Sequence, residues 1–267
     1  MSFYLTLPSN TEFANNTAAS FRCPLPDAVE LRGPWEVGLA SVQFPTEFIN
    51  VENAWVDLYI HEDAKKKLHL PIPDGQYRKL THLVSTVQEY VAFGVELGKA
   101  DLPAAHKGRK ERITLKYNSV EHRVTLRTSG GLVSAIDFSP NLGLLLGFER
   151  LTHYHPGGYN SSPESMRFSS TQVSTFTTGF NSLYIYSDIV ESQYVGDTKA
   201  PLLRIVPMKI TDEPYHGVDF SNVHYINLLR KSFNSVQITI KSSTGEPFPF
   251  ISGRSMVKLH FRKKRLF

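Results

Sequence analysis

His153-Tyr154-His155 puts two imidazoles on one side of the chain if the segment is a strand, because alternate strand positions share a face. Two imidazoles begin a zinc site, but zinc needs three or four ligands and no third stands at a recognisable spacing, so polar loop histidines are expected. Gly94-Val95-Glu96-Leu97-Gly98-Lys99-Ala100 is close to a phosphate-binding loop. It is one residue short, has Ala100 where the magnesium-binding hydroxyl belongs, and follows a helical pattern instead of opening one. Cys23, between Arg22 and Pro24, has no recognisable partner histidine and reads as a small buried hydrophobe. His61-Glu62-Asp63, followed by Lys65, Lys66 and Lys67, reads as the solvated end of a strand. Asp188 and Asp197 lack a second acid placed for acid–base work, and neither a Gly-x-Ser-x-Gly elbow nor a His-Glu-x-x-His helix is present. The expectation is a protein that is not an enzyme, with no catalytic residues, no metal site and no cofactor.

The charge is unevenly placed. The chain has 29 Lys and Arg against 25 Asp and Glu. Six of those cations, Arg254, Lys258, Arg262, Lys263, Lys264 and Arg265, fall after residue 253 with no acid among them. The remainder is close to neutral. A looser basic patch runs through Lys99, Lys107, Arg109, Lys110 and Arg112. A fold devoted to nucleic acid spreads cations over a face or a helix, whereas the signal here is a tail. Arg262, Lys263, Lys264 and Arg265 are therefore candidates for a nucleic-acid contact or a nuclear-import signal. The alternative is a solvated chain end that keeps a final strand from pairing with neighbours.

The elements that must carry these residues are mostly strands. Apolar and polar residues alternate in Val56–Ile60, in Ile113–Tyr117 with Arg123–Arg127 (a hairpin), in Val236–Lys241 and in Val257–Arg262. Thr244-Gly245-Glu246-Pro247 supplies a turn between the last two. Trp35–Phe44 and Leu202–Ile210 read as strands buried on both faces, although a bulge near Ala40-Ser41 would equally explain the interrupted alternation of the first. One helix is expected from Leu80 to about Leu97, since Leu80, Leu83, Val84, Val87, Tyr90 and Val91 share a face; Gly94 and Gly98 would end it. A shorter one spans Asn141–Leu146, closed by Gly147. Pro71–Gln76 and Thr152–Thr178 read as long loops, and the polar, Asn-rich Ser9–Thr17 as an arm that orders only on assembly. No run of about 18 apolar residues suggests a membrane span, and the start, lacking a basic n-region and apolar h-region, is not expected to be a secretory signal. The single cysteine excludes an intrachain disulfide framework. Aromatic residues at 12% favour pleated, half-buried surfaces.

Taken in order, several segments are familiar. Phe3-Tyr4-Leu5-Thr6-Leu7-Pro8-Ser9-Asn10, Trp35-Glu36-Val37-Gly38-Leu39-Ala40, Leu144-Leu145-Leu146-Gly147-Phe148 and Leu183-Tyr184-Ile185-Tyr186-Ser187-Asp188-Ile189 follow one another along the chain. Val195-Gly196-Asp197, Leu202-Leu203-Arg204, Thr244-Gly245-Glu246-Pro247-Phe248-Pro249-Phe250, Gly253 and Val257-Lys258-Leu259-His260-Phe261 complete the series. In order and spacing the chain resembles the minor capsid, or penton, protein of Polinton (Maverick) elements and their adintovirus relatives over almost its whole length. The resemblance implies a mainly β, single jelly-roll antiparallel sandwich spanning 1–267. It would carry a helix-containing insertion at about 74–150 and a basic C-terminal tail at 262–267. It further implies a homopentamer at the vertices of an icosahedral shell, among trimers of a double jelly-roll major capsid protein. Packaged DNA would be touched through the basic tail. The expected location is the virion, assembled inside the host cell and in its nucleus if the tail directs import. No catalytic residue comes with such a family. The competing reading is a carbohydrate- or receptor-binding β-sandwich, motivated by exposed aromatics such as Tyr154 and Tyr159. A third, an enzyme centred on His153 and His155, rests on the incomplete ligand set above.

Overall fold

The computed structural model describes residues 1–60, 67–100, 112–129, 133–148, 153–154, 166–174, 180–209 and 211–264. They form two compact units, one from Met1–Phe48 with Gly179–Phe267 and one from Ile49–Thr178. The first unit begins with β1 (Ser2–Pro8), β2 (Ser20–Glu30) and β3 (Trp35–Pro45). The second contains β4 (Trp55–Ile60), β5 (Lys67–Pro71), α1 (Leu80–Ala100), β6 (Arg112–Asn118), β7 (Arg123–Ser129) and β8 (Val133–Phe138). It continues with α2 (Pro140–Leu146), β9 (His153–Tyr154) and β10 (Met166–Ser169). The chain then returns to the first unit for β11 (Ser182–Ser187), β12 (Gln193–Val195), β13 (Thr198–Ala200) and β14 (Leu202–Pro207). It ends with β15 (Tyr215–Asp219), β16 (Ile226–Asn227), β17 (Ser232–Lys241) and β18 (Met256–Lys263).

Eight of the strands of the first unit, all but β12, β13 and β16, pair by a simple rule. The first pairs with the last (β1–β18), the second with the seventh (β2–β17), the third with the sixth (β3–β15) and the fourth with the fifth (β11–β14), all antiparallel. A second set of pairings, β18 with β3 and β17 with β11, joins them into sheets ordered β1-β18-β3-β15 and β14-β11-β17-β2. This is the winding of a jelly roll, one long antiparallel ribbon rolled into two sheets. The mainly β sandwich read from the sequence is the architecture observed. Alternation explains the core: Leu7, Val37, Leu39, Val257, Leu259 and Phe261 from one sheet meet Phe21, Ile185, Val206, Val236, Ile238 and Ile240 from the other, all fully or almost fully buried.

Details depart from the sequence reading for identifiable reasons. The β3–β18 register slips between Leu39 and Ser41, so Ala40 is the extra residue of a bulge, as its interrupted pattern suggested. Outside β3 a strap through Val223 and His224 crosses so close to Gly38 that no Cβ would fit there. That strap covers the outer side of β3 at Gly38. β14, expected to be buried on both faces, is an edge strand with Ile205 exposed. Ser9–Thr17 makes its hydrogen bonds within the chain itself. Ser9 exchanges backbone and hydroxyl hydrogen bonds with Ser255, and the Asn16 amide accepts from the Arg22 backbone N–H at 2.8 Å and donates to the Arg22 carbonyl at 3.0 Å.

In the second unit α1 lays Leu83, Val84, Val87, Val91 and Val95 on the buried residues of β4, β5 and β6. The helix runs through Gly94 and Gly98 to Ala100 instead of ending there. Gly94 is required by packing, since a Cβ would press into Leu70 and Leu58. Gly147, with φ +81°, closes α2 in the left-handed conformation, its N–H donating to the Leu144 carbonyl. The strands form sheets ordered β5-β4-β8-β9 and β10-β7-β6. β9 and β10 lie inside the stretch Thr152–Thr178 that reads as loop, and β10 pairs with β7 throughout its four residues.

Candidate functional site

β18 sends Val257, Leu259 and Phe261 into the core, so Lys258, His260 and Arg262 must face outward. Register then supplies their neighbours. Tyr4 of β1 lies opposite His260, and Glu36 of β3 opposite Arg262. The Tyr4 and His260 rings stack with centroids 4.5 Å apart, and the Lys258 ammonium stands 4.8 Å from the Tyr4 centroid. Tyr225, delivered by the strap across β3, places its hydroxyl 2.7 Å from His260 Nδ1. The Arg262 guanidinium lies 3.4 Å from the Tyr225 centroid, and its Nε donates to Glu36 Oε1 at 2.6 Å. A cleft of about 760 Å³ opens beside this cluster, bordered by Ser2, Glu36, Tyr225, His260, Lys263 and Lys264.

Burial, helped by the adjacent Arg262 charge, holds the His260 imidazole below the ordinary histidine range. A neutral ring can accept the Tyr225 O–H at Nδ1, which the imidazolium cannot. The cluster is therefore a closed set of ring, cation and carboxylate contacts.

The four tail residues part company here. Arg262 is engaged by Glu36 and Tyr225. Lys264 donates its backbone N–H to the Pro34 carbonyl and its ammonium to Asn227 Oδ1 at 3.1 Å. Lys263 continues the ladder opposite Trp35 with an exposed side chain. Arg265 lies outside the described residues. The fold adds cations from elsewhere: the Leu31 N–H donates to the Lys231 carbonyl at 2.8 Å, bringing exposed Arg32, Arg230 and Lys231 to the end of the unit where Lys264 meets Pro34. Tyr225 and Glu36 were not visible as site residues in the sequence, because only the strap and the β3–β18 register bring them to Arg262.

The other candidates resolve as follows. Cys23 is buried; its thiol donates to the Pro8 carbonyl at 3.1 Å, and burial pushes its pKa up, away from a reactive thiolate. His153 is placed as backbone of β9, while His155, Tyr159 and His61-Glu62-Asp63 lie outside the described residues. A group the sequence did not flag is Asp57 of β4, fully buried, with Lys67 at 2.7 Å from one carboxylate oxygen and His69 Nδ1 at 2.7 Å from the other. The Asp57 carboxylate pushes the Lys67 pKa up. Both partners come from β5, which pairs with β4 in register: His69 opposite Asp57 and Lys67 opposite Tyr59. Among the described residues no set of three or more His, Cys, Asp or Glu side chains is placed to hold a metal ion, and no helix is long and apolar enough to cross a membrane.

No protein-family model matches the sequence, and no curated protein matches it. Among solved structures, the chain is similar to the crystal structure of the mavirus penton protein, with 12% sequence identity, 98% of this chain and 99% of that chain covered, and a TM-score of 0.47.

Proposed function

We propose that this protein is a capsid subunit that acts by shape, occupying the vertices of an icosahedral shell as a homopentamer. The observation that carries this reading is the strand order of the first unit, a complete eight-stranded jelly roll in which every long strand is paired. Two packed sheets make a stiff wedge with loops at both ends for contacts to neighbours, which is what a closed ring of identical subunits requires. The familiar segments named above supply parts of five of the eight strands, β1, β3, β11, β14 and β18, and with them the Polinton and adintovirus reading. The expected partners are further copies of this chain and a double jelly-roll major capsid protein. The basic tail, Arg262 to Arg265, remains a proposed contact to packaged DNA or an import signal, with Arg262 already engaged by Glu36 and Lys264 by Asn227.

Co-expression with a matching double jelly-roll major capsid protein, followed by imaging of the particles, tests the reading. Density for five copies at each vertex is expected. Shells that close with vertices empty or filled by another protein contradict it. The competing reading, a binding module that works as a monomer, predicts ligand capture by single chains and exclusion from particles.

A further inference from the structure

The outer face of β6, β7 and β10 is a second basic surface, separate from the tail. The registers fix its layout: Thr114, Arg127 and Arg167 lie side by side, then Lys116, Thr125 and Ser169, then Asn118 and Arg123. Ile113, Leu115, Val124 and Leu126 are buried on the opposite side, so these polar side chains face away from the core. Lys116, Arg123, Arg127 and Arg167 are exposed. Among the described residues these three strands contribute no carboxylate to the face; Glu121 sits in the β6–β7 turn, and Glu96 of α1 borders the far edge of β6. Arg127 and Arg167 stand directly opposite each other, a like-charge pairing that costs stability unless an anion lies over it. A shallow cavity of about 320 Å³ opens there, lined by Lys116, Asn118, Thr125, Arg127 and Arg167 among others.

We infer that this face binds an extended sulfated polysaccharide. Arg127, Lys116 and Arg123 alternate between β7 and β6 at successive levels of the ladder. Strand spacing and rise put about 8 Å between neighbouring Cα positions along this zigzag. The track is one chain wide, with Arg167 beside it. Guanidinium forks and an ammonium are donors suited to sulfate oxygens, and the Ser169 and Thr114 hydroxyls add neutral donors. Single-stranded nucleic acid is poorly served: among the described residues the one ring beside the track is Tyr117, which is half-buried against the core at the cavity's edge, and bases need a run of stacking rings. Duplex nucleic acid presents two rows of phosphates across a groove, and this track meets one row. Neutral sugars are recognised through carboxylate acceptors and stacked rings, and among the described residues the three strands bring no carboxylate to this face. The inference does not depend on the capsid reading, since it concerns one sheet of the second unit and is read on the purified chain.

The test is equilibrium binding of the full-length protein to heparin, to chemically desulfated heparin and to a 20-base-pair DNA duplex. Heparin is expected to bind and to weaken by ~50-fold between 50 and 200 mM salt, the dependence for about four neutralised charges at the roughly 0.7 per charge of a single strand. R127Q/R167Q should lose at least tenfold in heparin affinity and about 1.4 from the logarithmic salt slope, with an unchanged melting temperature or a higher one. R127K/R167K should recover part of the affinity, and K263Q/K264Q should stay within twofold of the parent. Desulfated heparin and the duplex should each bind at least tenfold more weakly than heparin. Equal affinity for desulfated heparin, tighter binding of the duplex, or a double glutamine variant that binds like the parent would overturn the inference.

Discussion

Two surfaces of this molecule carry clustered cations, and they differ in what surrounds each charge. Along β18, Arg262 has Glu36 and the Tyr225 ring, Lys258 has the Tyr4 ring, and Lys264 has Asn227. Across β7 and β10, Arg127 has Arg167. The first surface is the one a reader of the sequence notices, because its cations are consecutive. The second is scattered over positions 116 to 167 and assembled only by register. Density of charge along a chain is thus a poor guide to charge available for a ligand; cross-strand neighbours decide how much of it is already satisfied.

The largest test of this contrast concerns what lies beneath both faces. Phe261→Ala under the tail cluster should cost about 3–5 kcal/mol, and Leu126→Ala under the arginine face about 2–5 kcal/mol, read from urea denaturation. Comparable losses mean the two faces rest on equally well-packed cores, so that their differences arise outside. A loss below about 1 kcal/mol at either site would break the comparison at its base. Next, Arg262→Ala should destabilise by about 1 kcal/mol, discounted for its partial exposure, through the Glu36 pair and the Tyr225 ring. Arg167→Thr should move the other way, stabilising by a few tenths of a kcal/mol because a like-charge neighbour is removed. Opposite signs in thermal melts are the signature of a satisfied and an unsatisfied surface; the same sign for both would erase the distinction.

The smallest effect is a pH dependence confined to the tail cluster. The His260 pKa is depressed in the folded protein, so the unfolded chain binds the proton more tightly. The stability tied to the neutral ring is fully present above the ordinary histidine value of about 6.5 and is lost as pH falls through the lower folded value. His260→Gln should flatten stability over that acidic window and leave neutral pH nearly unchanged. An equal acid response in the variant would assign the effect to another group.

Much of the scaffold was legible because its signals are local. Alternation in Val236–Lys241 and Val257–Arg262 marks β17 and β18, the 3.6-residue spacing from Leu80 marks α1, and the broken pattern at Ala40 marks the bulge. What escaped was set by distant chain. Met166–Ser169 is four residues in a Ser- and Thr-rich stretch, and only pairing with β7 makes it a strand. Gly94 looks like a helix stop until Leu58 and Leu70 are seen against it. Asn16 looks like part of a loose arm until its amide is found on both backbone groups of Arg22. The tail cluster was half legible. The outward phase of Lys258, His260 and Arg262 follows from alternation, while Glu36, Tyr4 and Tyr225 come from three other segments.

The claim on which the account turns is self-assembly of the jelly roll, and the solution mass of the purified full-length chain across a concentration series addresses it most directly. The account predicts a species five times the 30.1 kDa chain mass that grows with concentration and shows five-fold rings by negative-stain imaging. A single 30.1 kDa species throughout the series, also absent from shells formed by the major capsid protein, would contradict it.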